Sequence, residues 1–138
     1  MAANTKLQWI PDGKRFVSTD STGHSVVLST TDENIGMKPS ELLLSALAGC
    51  TSVDVVEILA KKQTPLSHLD VEVSARQDAD PPWTFRKIHM HFHLKGKGLT
   101  AKNVEQAIRL SEEKYCAVAA TIRGVAEITT SYEIIPDE

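Results

Sequence analysis

Residues 41–59, ELLLSALAGCTSVDVVEIL, read as one long helix with a cysteine, Cys50, embedded in it. The apolar positions Leu43, Ala46, Leu47, Cys50 and Val53 recur at steps of three and four, which puts them on one helix face and turns the Cys50 sulfur into packed structure. Upstream, Pro39 suits a first helical turn because its φ is already fixed there. Downstream, Lys61 and Lys62 complement the negative end of the helix dipole, and Thr64-Pro65 stops the helix. The second and last cysteine, Cys116, follows 66 residues later in SEEKYCAVAATIRG, residues 111–124. There a charged helix end passes into a short apolar run that Gly124 can stop. Both thiols are expected to be sheltered.

Working outward, the chain before Thr31 alternates short apolar runs, Leu7 to Ile10, Phe16 to Val17 and Val26 to Leu28, with the turn compositions Pro11-Asp12-Gly13 and Asp20-Ser21-Thr22-Gly23. A small antiparallel meander is expected, joined to the first helix by a polar connector at residues 30–38. After that helix, Leu69, Val71, Val73 and Ala75 alternate with Asp70, Glu72, Ser74 and Arg76, a strand with one wet face. The next strand, Phe85 to Lys95, sets Ile88, Met90, Phe92 and Leu94 against Lys87, His89, His91 and His93. Thr100 is a fair N-cap for a second helix, whose less polar face carries Val104, Ala107, Ile108, Ser111 and Tyr115. A final strand alternates Ala126, Ile128, Thr130, Tyr132 and Ile134 with polar residues. Strands, long helix, two strands, helix, short helix and strand in that order, without repeats, give an α+β fold rather than a doubly wound one. The 138 residues suffice for a single domain, 1–138, with its own core.

The charge balance narrows the function. Fifteen basic against 18 acidic residues leave a formal charge of -3, so no general basic field is available to hold DNA or RNA. The N-terminus lacks a cationic start followed by an apolar run, and the longest apolar stretch, Leu42 to Ala48, is broken by Ser45. A cytoplasmic protein with no membrane partner is expected. In that reducing compartment two cysteines are free thiols or a transient catalytic disulfide rather than a permanent bridge. A free cysteine also packs well as a small hydrophobe, so burial alone does not argue for reactivity.

Two other groups of residues invite functional readings. His89, His91 and His93 line one strand face at period two, but alternate residues lie ~6.6 Å apart along a strand, so the outer imidazoles do not meet at one tetrahedral ion. With Lys87 and Lys95 flanking them, a solvated face is expected and no metal is assigned; two thiols without CxxC spacing make no zinc site either. Trp9 and Trp83 are read as core or dimer-contact aromatics, because no basic groove accompanies them for base stacking.

The segment PSELLLSALAGCTSVD, residues 39–54, together with EKYCAVAATIRG, residues 113–124, resembles the OsmC/Ohr family of osmotically inducible and organic-hydroperoxide-resistance proteins. The likeness spans nearly the whole chain. It implies an OsmC-like fold, in which antiparallel sheets surround two long central helices within an intertwined homodimer. It also implies that Cys50 is the peroxide-attacking thiol, Cys116 the resolving thiol and an organic hydroperoxide the substrate, with no further cofactor. An external dithiol would reset the pair. The Ohr and OsmC branches place a carboxylate directly after the proline eleven residues before the reactive cysteine, where this chain has Ser40. Glu41 comes one place late: nine residues at ~100° each turn it to the opposite side of the helix from Cys50. An N-terminal arginine partners the thiolate in the better-known branches, and Arg15 is the only arginine upstream of the first helix.

The thiolate is the nucleophile, and an apolar pocket alone raises a thiol's pKa, so Cys50 needs a cation, expected from Arg15 of the same or the other subunit. Cys116, at the start of the short helix, is expected to gain thiolate character from its dipole. Leu42, Leu43, Leu47 and the second helix would wall an apolar pocket suited to an alkyl or lipid peroxide. Asp54, one turn beyond Cys50, is read as making a helix-end hydrogen bond. A second reading keeps the scaffold without turnover, as a small-ligand-binding or redox-sensing protein, and a third makes it a structural dimerisation module.

Overall fold

The computed structural model describes residues 2–136. They divide into two compact units, residues 1–43 and 44–138, the division falling in the first turns of the long helix. In the first unit β1 (Thr5–Ile10), β2 (Arg15–Asp20) and β3 (Ser25–Ser29) form an antiparallel meander, with Trp9 opposite Phe16 and Val17 opposite Val27. The second turn is built as its composition suggests: the Asp20 carboxylate accepts from the Thr22 amide at 3.0 Å, the Thr22 hydroxyl at 2.7 Å and the His24 amide at 3.1 Å. The connector is not loose. Met37 donates to the Val27 carbonyl and Ser29 to the Met37 carbonyl, both at 3.0 Å, while the buried Ser29 hydroxyl accepts from the Gly36 amide at 3.1 Å. A Cβ on Gly36 would lie 2.6 Å from the Val27 carbonyl oxygen, so only glycine fits that approach.

The second unit holds most of α1 (Pro39–Lys61), then β4 (His68–Gln77), β5 (Phe85–Lys95), α2 (Ala101–Leu110), a π-helical turn (Ser111–Tyr115), α3 (Ala117–Ile122) and β6 (Glu127–Ile134). Thr100 caps α2 as expected, accepting from the Asn103 amide at 3.2 Å. The strands form one sheet in the order β4-β5-β6. β4 runs antiparallel to β5, but β6 runs parallel to it, so this sheet departs from a wholly antiparallel arrangement. A parallel neighbour needs a crossover, and the helical segment from Ala101 to Ile122 supplies it.

β5 is the central strand, and its period-two reading holds: Ile88, Met90, Phe92 and Leu94 have no exposed surface. They meet Leu47, Val55 and Leu59 of α1, Val104, Ala107 and Ile108 of α2, and Ala119 of α3 in one core. The buried face of α1 differs from expectation. Leu47, Thr51, Val55 and Leu59, at steps of four, face inward, whereas Leu43 and Val53 are 40% and 66% exposed. A helix apolar nearly all round carries no periodicity from which to choose a face. For the same reason α1 is long and apolar enough to cross a membrane, although its inward stripe is buried in this core. Neither tryptophan is core: Trp9 and Trp83 are 59% and 55% exposed, and the Trp9 indole donates to the Gly13 carbonyl of its own hairpin turn. Tyr115, expected on the inner face of the second helix, is also exposed, because the π turn rotates it outward.

Candidate active site

Cys116 sits between the π turn and α3. It has extended backbone, φ -83° and ψ 106°, and caps α3 through its sulfur, which accepts from the Ala119 amide at 3.3 Å. Its own amide donates to the Ser111 carbonyl at 2.7 Å, closing the wide turn. One inserted residue in the helical spacing thus ends α2 early and swings Cys116 into the core, where it is 2% exposed. From α1 the fully buried Thr51 hydroxyl donates to the same sulfur at 3.7 Å.

Cys50 lies one residue before Thr51, half-buried and packed against the core, and both cysteines are free thiols. They share one core: Thr51, the residue after Cys50, donates to the Cys116 sulfur, and Cys50 is near enough to act on the Cys116 thiol. The expectation that the helix dipole would favour a Cys116 thiolate is not met. Burial, the largest influence, pushes the Cys116 thiol above its ordinary 9.0, and the nearby Cys50 pushes it further. The Ala119 amide and the Thr51 hydroxyl pull the other way without reversing the result. A helix of six residues has too little dipole to offset desolvation.

Two residues outside the cysteine motifs hold this arrangement. Ser111, fully buried, directs its hydroxyl to an Asp54 carboxylate oxygen at 2.7 Å and lies 3.2 Å from the Thr51 carbonyl. With a single proton, the hydroxyl serves the carboxylate foremost. Asp54 therefore makes a helix-end hydrogen bond, to the C-cap of α2, and through Ser111 ties α1 to the turn that places Cys116. Ser111 and Thr51 were not singled out in the sequence as site residues. Ser111 carries a sequence signal, a hydroxyl on the less polar face of the second helix, whereas Thr51 carries none because α1 is apolar nearly all round.

The remaining anticipated residues are placed as follows. Arg15 opens β2 in the first unit, donates from its guanidinium to the Pro11 carbonyl at 3.2 Å, and leaves its buried Nε without a hydrogen-bond partner among the described residues. Ser40 is the second residue of α1. Glu41 pairs with Lys38 at 3.3 Å on the surface. Leu47 belongs to the core, and Leu43 is exposed. His89 bonds the hydroxyls of Thr129 and Ser131 on β6, at 2.6 and 2.8 Å, and shares the Ser131 hydroxyl with His91.

The OsmC-like protein family model matches residues 30–131. Protein YhfA of Escherichia coli K12 is 31% identical over 130 residues, which cover 94% of this chain and 96% of YhfA. A hypothetical protein of Aquifex aeolicus superposes with a TM-score of 0.89 at 28% identity, covering 100% of this chain and 99% of that one. The organic hydroperoxide resistance protein OsmC of Legionella pneumophila shares the fold at 18% identity and a TM-score of 0.69, over 96% of this chain and 97% of that one. With that match, that degree of identity and the two cysteine-bearing segments in the same α+β frame, the chain belongs to the OsmC-like family.

Proposed function

We propose that the protein reduces organic hydroperoxides with Cys50 as the attacking thiol and Cys116 as the resolving one. The observation that carries this reading is that two free cysteines from distant parts of the chain share one core, with Thr51, the neighbour of Cys50, donating to the Cys116 sulfur. The Cys50 thiolate attacks the terminal peroxide oxygen, the O–O bond breaks, and the alkoxide leaves as the alcohol after taking a proton. Cys50 is then a sulfenic acid. Cys116, which burial keeps protonated until this point, attacks that sulfur; its proton leaves with the hydroxyl as water, and a disulfide forms. An external dithiol returns two electrons and two protons by exchange. We assign the cation of the Cys50 thiolate to an Arg15 of the same or the other subunit, whose Nε has no hydrogen-bond partner among the described residues.

A homodimer belongs to the same proposal. Val53 and Val56 of α1 are 66% and 45% exposed although the helix is apolar on that side too, and a second copy of the chain is the cover the family resemblance suggests.

With dithiothreitol as reductant, the purified protein should consume cumene hydroperoxide. Cys50→Ser should abolish this, while Cys116→Ser should allow one turnover and gain one oxygen by mass spectrometry. One equivalent of hydroperoxide should cost the unmodified protein two hydrogens. A fully reduced protein that consumes no hydroperoxide and stays unchanged in mass would sink the proposal and leave a ligand-binding role on the scaffold.

A further inference from the structure

The outer face of the second sheet carries imidazoles and carboxylates that the thiol chemistry does not use. Spacing along β5 argues against a three-histidine metal site, and for His89 the argument holds, since its ring is held by Thr129 and Ser131. It does not hold for the next pair. His91 and His93 lean together until their ring centroids are 4.6 Å apart at 84°, well inside the ~6.6 Å repeat of the strand. The parallel partner strand then brings in a third donor: β6 pairs Glu133 directly with His93. One ligand atom from each of His91, His93 and Glu133 lies within 4.8 Å of the others.

We propose that His91, His93 and Glu133 bind a divalent transition-metal ion of the zinc class, with Glu72 as the outer carboxylate that orients His93. A tetrahedral ion with bonds of 2.0–2.1 Å holds its donors about 3.4 Å apart. His93 Nδ1 already lies 3.6 Å from a Glu133 oxygen, so small side-chain rotations complete that edge of the site. The other nitrogen of the same ring, Nε2, lies 3.6 Å from a Glu72 oxygen. A carboxylate behind a ligating imidazole is the arrangement that fixes its tautomer and raises its basicity. His91 has the equivalent support, its Nδ1 bonded to the Ser131 hydroxyl at 2.6 Å. Both histidines are half-buried, which limits the rotamer freedom lost on binding, while Glu133 is exposed and free to swing. Two imidazoles and one carboxylate favour zinc, nickel or copper over magnesium or calcium, which take oxygen donors. Lys95, the next residue on this face, opposes the ion, and Glu72 and Glu133 offset it.

Calorimetric titration with Zn2+ of the reduced, chelator-stripped full-length chain tests this. One equivalent should bind, His93→Gln and Glu133→Gln should each weaken binding at least tenfold, and His24→Gln, far along the chain in the first unit, should leave it unchanged. Thermal melts establish that each variant is folded. Glu133→Gln alters only an exposed side chain and so decides the matter even if His93→Gln melts early. Because thiols also take zinc, the Cys50→Ser, Cys116→Ser chain is titrated alongside and should keep the site. Binding that is unchanged in Glu133→Gln, that disappears with the cysteines, or that is absent from the unmodified chain would each overturn the proposal. None of these results depends on hydroperoxide turnover.

Discussion

The Cys116 sulfur is held by an amide from its own helix and a hydroxyl from another, and these two contacts set its chemistry against burial. Replacing Thr51 with valine keeps the volume but removes the hydroxyl, one of the two groups that draw the Cys116 pKa down. Alkylation of Cys116 by iodoacetamide, followed by peptide mass spectrometry, should then begin at a higher pH than in the unmodified protein, with about 1 kcal/mol of stability lost. In the unmodified protein that alkylation should be slow at neutral pH and rise only above 9.0. The stability consequence has a definite sign. A thiol whose folded pKa is raised binds its proton more tightly in the folded state, so its contribution is complete below 9.0 and is lost as pH climbs through the raised value. Urea midpoints measured from pH 8 upward should fall more steeply for the unmodified protein than for Cys116→Ala. Cysteine identity and position were legible in the sequence. The protonation preference was not, because desolvation by residues remote in sequence outweighs the local helix end that the sequence displays.

At the scale of elements, the π turn and β5 do the positioning. The turn relies on Ser111, whose carbonyl receives the Cys116 amide and whose hydroxyl anchors to Asp54. Ser111→Ala should destabilise the fold by about 1–3 kcal/mol, since it leaves the Asp54 carboxylate short of a donor. It should also slow disulfide formation after Cys50 oxidation, read by stopped-flow tryptophan fluorescence or quenched mass spectrometry. Phe92→Ala in β5 removes the largest fully buried side chain and should lower stability by about 3–5 kcal/mol in chemical denaturation, a loss ascribable to packing alone. β5 was readable because strict alternation has one interpretation. The π turn was not, since SEEKY is compatible with an ordinary α-helix and the extra residue is stabilised by contacts with α1.

For the molecule as a whole, α1 is the element whose surroundings matter most. Its inner stripe is buried against β5 and α2, while Val53 and Val56 face outward. If the proposed dimer uses this face, light scattering should show a dimer for the unmodified chain and a monomer for Val53→Glu. The sequence by itself determined the α+β order of elements, the meander, the wet and dry faces of β4, β5 and β6, and the two cysteine segments, because alternation, turn residues and caps are local physical codes. The tertiary structure alone decided which stripe of an almost uniformly apolar helix turns inward, that β6 runs parallel to β5, and that the two cysteine segments share one core. Those outcomes depend on contacts between segments tens of residues apart, and no local pattern carries their energy.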